Sequence, residues 1–396
     1  MNDADFSWKK IIIPAFGPSV LFGIGNGAIL PVIALSAIDL GASPAMSGLI
    51  VALIGFGSLV GNIPAALTTS RHGERRSLIG AAMLSVLALA LCLVANHPAI
   101  LALGVLIMGL ATSVFYLARQ TYLMEAVPVY MRARAFSTLG GTQRIGMFIG
   151  PFAAAALMHF IGLAGAYWIA IVALTGAGVL SFAIPELEAR PKTGDGATLK
   201  PSMASTVHTH RKVFLTLGSG ILLIGAMRAS RQIAIPLWAD NIGLSPAATA
   251  IVFGLVSAMD MLVFYPAGKV MDQYGRLWVA LPCAIVLGLS LLAIPLTHGL
   301  VSFVLVSILM GFGNGIGSGI VMTLGADASP AVGRTEFLGI WRFIADVGNS
   351  AGPFCLSGIT ALVSLGAGIA VTGVFGFVAA AIFWHGLPHG RAARKG

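Results

Sequence analysis

The sequence predicts an all-α membrane protein, with twelve transmembrane helices in two parallel, pseudo-symmetric bundles of six. Three observations carry this expectation. Of 396 residues, 57% are hydrophobic and only 9% charged, against roughly 25% charged in soluble domains, and the mean hydropathy is +0.94. The apolar runs are nearly all long enough for a helix to cross a core of about 30 Å, where a barrel strand would need only about 10 residues. The second half of the chain also repeats the first at a constant offset of 202 residues.

The spans of the first half fall at about residues 11–38, 45–69, 77–96, 99–124, 134–160 and 163–184. The run after Lys9 and Lys10 exceeds the roughly 7–15 residues of a signal-peptide apolar region, so it reads as the first spanning helix and not as a cleavable leader. The second half follows at about 213–241, 246–270, 278–297, 300–325, 335–362 and 366–387. Between the halves lies the one long hydrophilic interruption, rich in Pro, Gly, Ser, Thr and Lys and with nothing to bury. The expected organisation is an N-terminal bundle over 1–184, a cytoplasmic linker over 185–212 and a C-terminal bundle with a short basic tail over 213–396.

Charge placement orients the chain. With both termini cytoplasmic, the cytoplasmic segments hold Lys9, Lys10, Arg71, Arg75, Arg76, Arg132, Arg134, Lys269, Arg276, Arg334 and the tail's Arg391, Arg394 and Lys395, while the six external loops hold no Lys or Arg. This is the positive-inside bias, and it accounts for the net charge of +9 without nucleic acid as a partner. Trp8, Trp238, Trp278 and Trp384 fall near the expected interfaces. Cys92, Cys283 and Cys355 lie within spans and lack metal-ligand spacing, so they read as packing residues with no metal or cofactor implied.

The repeat is visible residue by residue. Gly41, Ser43, Pro44 and Ala45 meet Gly243, Ser245, Pro246 and Ala247. Pro64, Ala65 and Gly73 meet Pro266, Ala267 and Gly275. Met108 and Gly109 meet Met310 and Gly311, Pro128 and Arg132 meet Pro330 and Arg334, and Gly146, Gly150 and Pro151 meet Gly348, Gly352 and Pro353. Parallel repeats of six helices are a transporter architecture, with the binding site expected at the repeat interface near the bilayer midplane.

Two motifs make the chain resemble the major facilitator superfamily along its whole length. Gly268-Lys-Val-Met-Asp272-Gln-Tyr-Gly275-Arg276 is similar to the family's loop motif G-x-x-x-D-x-x-G-R between helices 8 and 9. The counterpart after helix 2 keeps Arg71, Gly73, Arg75 and Arg76, but has Ser70 at the aspartate position and Ala66 at the first glycine. The resemblance implies a cytoplasmic latch that biases the conformational equilibrium, carried here mainly by Asp272. Gly146-x-x-x-Gly150-Pro151 in helix 5 resembles the antiporter motif of drug and metabolite exporters, with Ala154 and Ala155 in place of its final glycines. Small residues four apart also permit close helix packing in any membrane bundle. The copy at Gly348 to Pro353 favours the packing reading.

The charges inside the spans are Arg119, Arg144, Arg228, Arg231, Asp260, Arg342 and Asp346, with Glu125 at the inner end of helix 4. An arginine deep in hydrocarbon costs about 2.5–3.5 kcal/mol on the insertion scale, so it is expected to face a bundle interior or a watery cavity. Arg228 and Arg231, three residues apart, share one helix face and are the first candidates for substrate contact. Arg144, Gln232, Asn26, Tyr116 and Trp341 are further candidates for the cavity wall. Arginine does not deprotonate in proteins, so a travelling proton falls to Asp260, Asp346 or Glu125. The bland readings are an intrahelical Arg342–Asp346 pair, an Arg119 and Glu125 that brace the cytoplasmic face and, as the resemblance implies for neighbouring helices 5 and 8, an Arg144 paired with Asp260. The glycine run Gly311 to Gly319 lacks the strand and lysine of a phosphate loop and reads as close packing of helix 10.

The expectation is a transporter and not an enzyme, since catalytic clusters are not evident. It is expected to be a secondary carrier in a bacterial-type inner membrane, monomeric, exporting a small amphipathic or anionic organic molecule in exchange for protons. A proton symporter importing an organic acid, sugar or related metabolite is the second reading, and a membrane sensor or enzyme the remote one.

Overall fold

The structure, a computed structural model, describes residues 8–127, 132–184, 203–330 and 333–388. Most of the expected linker (185–202), Pro128 and the basic tail lie outside the described residues. Among those described, the regular elements are helices: α1 Trp8–Asp39, then α2 and α3 within the run Pro44–Leu93, α4 Pro98–Ala126, α5 Arg132–Ile161 and α6 Ala164–Phe182. A short helix Met203–Thr209 follows, then α7 Arg211–Asn241, α8 Pro246–Tyr274, α9 Leu277–Leu296, α10 Leu300–Ala328, α11 Arg334–Leu362 and α12 Leu365–Gly386.

Ten of these runs are long and apolar enough to cross a membrane. The run Pro44–Leu93 is two helices merged across Gly73, whose φ of 80° no helical residue adopts. Counting its arms separately and adding α11, which is 29 residues long but more polar, brings the described residues to the expected twelve.

The chain divides into two compact units, Met1–Ala189 with Ile235–Ser257, and Arg190–Ala234 with Ala258–Gly396. In the first unit, α1 and α5 approach at backbone distance. A Cβ on Gly27 would lie 2.8 Å from the Met147 carbonyl oxygen and 3.1 Å from Pro151, and one on Gly150 would lie 2.7 Å from the Ala28 nitrogen. Without a hydrophobic drive between helices in lipid, such small-residue contacts supply the packing. The Tyr167 hydroxyl on α6 donates to Ser36 Oγ on α1 at 2.9 Å, which satisfies a buried phenol.

The second unit uses the same device. On α11, a Cβ at Gly348 would come 2.9 Å from Leu222 Cα of α7, and one at Gly352 would come 2.6 Å from Ala226 Cα. The α9–α12 contact is likewise glycine on glycine, Gly288 against Gly373 and Gly376.

The offset of 202 holds in backbone geometry too. Gly41 and Gly243 have φ of 83° and 77°, and Gly73 and Gly275 have 80° and 101°. Each first pair precedes a serine cap: Ser43 Oγ accepts from the Met46 amide at 3.2 Å and Ser245 Oγ from the Ala248 amide at 3.3 Å. A serine oxygen satisfies a helix-start donor that would otherwise be orphaned, and the proline that follows is pre-set for the first helical position.

Candidate functional site

In the second unit α10 does not run through. Its helix stops at Ile316, turns at Gly317 to Gly319 and restarts at Ile320. The turn tightens to i→i+3 bonds, Ser318 N–H to Gly315 O at 3.3 Å and Ile320 N–H to Gly317 O at 3.0 Å. The glycine run does pack closely: a Cβ at Gly313 would meet Val286 at 2.9 Å and one at Gly315 the Asp260 carbonyl at 2.9 Å. But close packing is only half of its role. Glycines here cost helix stability, and the helix breaks where three of them alternate within five residues.

Polar side chains from three neighbouring helices gather on the break. Arg228 of α7 donates through Nη2 to Gly317 O at 2.6 Å. Its guanidinium also reaches Cys283 of α9, a fully buried thiol, while its Nε is buried with no hydrogen-bond acceptor. Asp260 of α8 accepts from Asn314 Nδ2 at 2.8 Å and from Ser318 Oγ at 3.2 Å. The break therefore carries a permanent cation on one side and a titratable carboxyl on the other.

Arg231 and Gln232, on the next turn of α7, are half-buried like Arg228. Trp341 of α11, a candidate for the cavity wall, is 3% exposed. Its indole N–H donates to Val321 O at 2.7 Å, one turn beyond the break, and its ring stacks on Phe337. On the same helix, Arg342 and Asp346 form the intrahelical pair that their spacing suggested, at 3.9 Å.

In the first unit the corresponding region is neutral. Gln143 of α5 donates to the Tyr116 hydroxyl of α4, which Asn26 of α1 also reaches. Phe22 stacks on Phe115 with centroids 3.9 Å apart and meets Tyr116 edge-on. Asn26, Tyr116 and Gln143 are thus brought together. Arg144 is half-buried beside Gln143, Arg119 is almost fully buried, and Glu125 is exposed at the end of α4.

The loop motif forms an ion-pair cluster with a partner that the motif itself does not contain. Arg276 Nε lies 2.8 Å from Asp327 Oδ2 at the end of α10, and Nη1 donates to Met271 O at 2.9 Å, while Asp272, largely exposed, is 3.6 Å away. Asp327 is the shorter partner. The repeat contained the signal, since Asp327 is Glu125 plus 202. Gly275 is required by its φ of 101°, whereas a Cβ on Gly268 would meet open space. Asn314 and Ser318 were also missed, because they sit inside a run that glycine dominates.

The sequence profile of the Major Facilitator Superfamily matches residues 19–331 and 217–396. A curated relative described as the probable glucose transporter rco-3 of Neurospora crassa is 28% identical over 209 residues, 51% of this chain and 34% of that protein. The inner membrane transport protein YajR of Escherichia coli K12 is 26% identical over 221 residues, 54% of this chain and 46% of YajR. The matches span less than half the length of either relative. Among solved structures, a D-xylose-proton symporter superposes with a TM-score of 0.72 at 15% identity, covering 96% of this chain and 98% of that one. A bacterial homolog of the human lysosomal transporter Spinster, inward-facing and unoccupied, gives 0.76 at 14% identity, with 96% and 97% covered. At those identities the likeness shows the fold alone. With the profile spanning most of the sequence, the chain is a multi-pass membrane protein that belongs to the Major Facilitator Superfamily.

Proposed function

We propose that the chain is a secondary active transporter that exports a small amphipathic or anionic organic molecule in exchange for protons, by alternating access. The observation that carries this reading is Arg228, a charge that cannot be discharged, held at the break of a spanning helix by a 2.6 Å bond to Gly317 O. A half-buried guanidinium whose buried Nε–H has no acceptor is a costly group to keep unless something negative comes to it. Arg231 and Gln232 extend the same region along α7. Asp260 is the proton carrier in this reading, with Asp346 second. Efflux is favoured by the resemblance of Gly146-x-x-x-Gly150-Pro151 to the antiporter motif, and the positive-inside charge pattern supports an inner-membrane location with both termini cytoplasmic.

A second reading, import of a sugar with protons, is favoured by the neutral cluster of Asn26, Tyr116 and Gln143 beside stacked aromatic rings. Amides, a phenol and ring faces suit a hydroxylated ligand, and the similarity to a probable glucose transporter points the same way.

Thermal stabilisation of the purified full chain separates the two, because a ligand that binds the native state raises apparent stability. Monocarboxylates, dicarboxylates, hexoses, pentoses and lipophilic cations are the probes. The anion reading expects stabilisation by carboxylates alone, lost in Arg228→Gln. Stabilisation by hexoses or pentoses that survives Arg228→Gln overturns it in favour of the sugar reading. Flux in proteoliposomes under a pH gradient, with the stabilising compound as cargo, then gives the direction.

A further inference from the structure

We infer that Asn314 and Ser318 make Asp260 a built proton-exchange site, in which both the ionised and the protonated carboxyl are hydrogen-bonded without any helix having to move. The inference rests on the reading that Asp260 carries the coupling proton, and it assigns the partners that let it do so.

The geometry is specific. An ionised carboxylate is acceptor-only, while a protonated one has a hydrogen to donate. Both residues that hold Asp260 from α10 can serve either form. The Asn314 side chain is 8% exposed, its Nδ2 donates to Asp260 Oδ2 at 2.8 Å, and its Oδ1 is buried with no partner. Rotation of the amide by half a turn exchanges the two atoms. The idle Oδ1 then faces the carboxyl oxygen and accepts its proton in a hydrogen bond. Ser318 has the same duality. Its Oγ is 3.2 Å from Asp260 Oδ1 and 3.2 Å from Asn314 O, two acceptors for one hydroxyl hydrogen. With the carboxylate ionised the hydroxyl donates to it. With the carboxyl protonated the hydroxyl turns to Asn314 O and its lone pair is free to accept.

Arginine partners lack this duality. Asp327 and Asp346 face Arg276 and Arg342, which can only donate and so serve the ionised form alone. Arg228 of α7 and Cys283 of α9 also meet the break beside Gly317, and arginine keeps its charge in proteins. Asp260 and Ser318 are half-buried, so water can deliver and remove the proton. The exchange is balanced: hydronium gives one proton to the carboxylate and leaves as water, and the reverse step returns it.

Infrared difference spectroscopy of the purified full chain during a pH titration tests this without a transport substrate. The expected result is a protonated-carboxyl C=O band that grows on acidification and is absent in Asp260→Asn. Asn314→Leu removes a charge-assisted bond to the ionised form and a weaker neutral bond to the protonated form, so the band should persist to a higher pH, by about one unit. Ser318→Ala should shift it the same way by less. A purely structural role for Asn314 would lower thermal stability and leave the half-loss pH in place. An unchanged half-loss pH in both variants, or no Asp260-dependent band at any pH where the chain is folded, overturns the inference. If Asn314→Leu does not fold, Ser318→Ala alone decides. Failure of proton-coupled flux with the titration intact would instead count against the transport reading.

Discussion

Replacing Gly352 by alanine tests whether the α7–α11 crossing depends on the absence of a side chain. The added Cβ would lie 2.6 Å from Ala226 Cα and 2.7 Å from its carbonyl carbon. These are backbone atoms that cannot rotate away, so α7 and α11 must separate by roughly an ångström to restore van der Waals contact near 3.5–4.0 Å. Overpacking of this kind costs about 1–3 kcal/mol, from which the better helix propensity of alanine recovers about 0.5–1 kcal/mol. The net expectation is a loss within about 0–2.5 kcal/mol, about 1 kcal/mol at mid-range. Gly358 lies on the same helix with nothing within 4 Å of its Cβ position, so Gly358→Ala should stabilise by about 0.5–1 kcal/mol. Thermal unfolding of both variants in one detergent, at one scan rate, reads the signs directly. A Gly352→Ala chain as stable as the Gly358→Ala chain, or a Gly358→Ala chain less stable than the parent, would refute the steric reasoning.

Other outcomes follow from the same geometry. Gly275→Ala should destabilise by about 1–2 kcal/mol, because a Cβ is strained at its φ of 101°, while Gly268→Ala should be close to neutral in the same unfolding assay. Asp327→Asn should increase hydrogen exchange at the C-terminal ends of α8 and α10 more than Asp272→Asn, since the first loses a 2.8 Å contact and the second a 3.6 Å one. Both latch groups are partly exposed, so their effect on overall stability should stay within about 0.2–1 kcal/mol and shrink in high salt. Tyr167→Phe removes the buried 2.9 Å bond to Ser36 and should cost about 0.5–1.5 kcal/mol.

The helices were legible because lipid imposes a length and excludes charge, and both constraints are written one residue at a time. Turn glycines and serine caps were legible through the repeat: Gly41 with Gly243 and Ser43 with Ser245 are the same local chemistry used twice. The Arg342–Asp346 pair followed from spacing alone. What spacing could not give was any contact set by the third dimension. Nothing near Arg228 in sequence indicates Gly317, 89 residues away, as the acceptor of its N–H. The break of α10 was hidden because glycines within a span serve close packing and helix interruption equally well. Trp341 shows the same limit, as an aromatic ring in a span has the same sequence signature whether it lines an opening or fills the interior.

The offset that relates the halves also separates what builds the scaffold from what differs on it. Positions with matching residues are turn, cap and crossing positions: Gly41/Gly243, Ser43/Ser245, Gly23/Gly225, Gly146/Gly348 and Gly150/Gly352. The polar positions diverge. Asn26 aligns with Arg228, Ser58 with Asp260, Thr112 with Asn314, Phe115 with Gly317 and Tyr116 with Ser318. In the first half Phe115 and Tyr116 belong to α4, which is continuous over Pro98–Ala126, whereas Gly317 and Ser318 form the break in α10. The same register therefore yields an uninterrupted helix with a neutral aromatic cluster in one half, and in the other an opened helix whose freed carbonyl meets an arginine and whose serine meets a carboxylate. Packing constrains the matched positions from both helices at once, so they can change only at a cost in stability. The diverged positions escape that constraint, and this is why Arg228 and Asp260 can face neutral counterparts, Asn26 and Ser58, in the other copy of a twice-used frame.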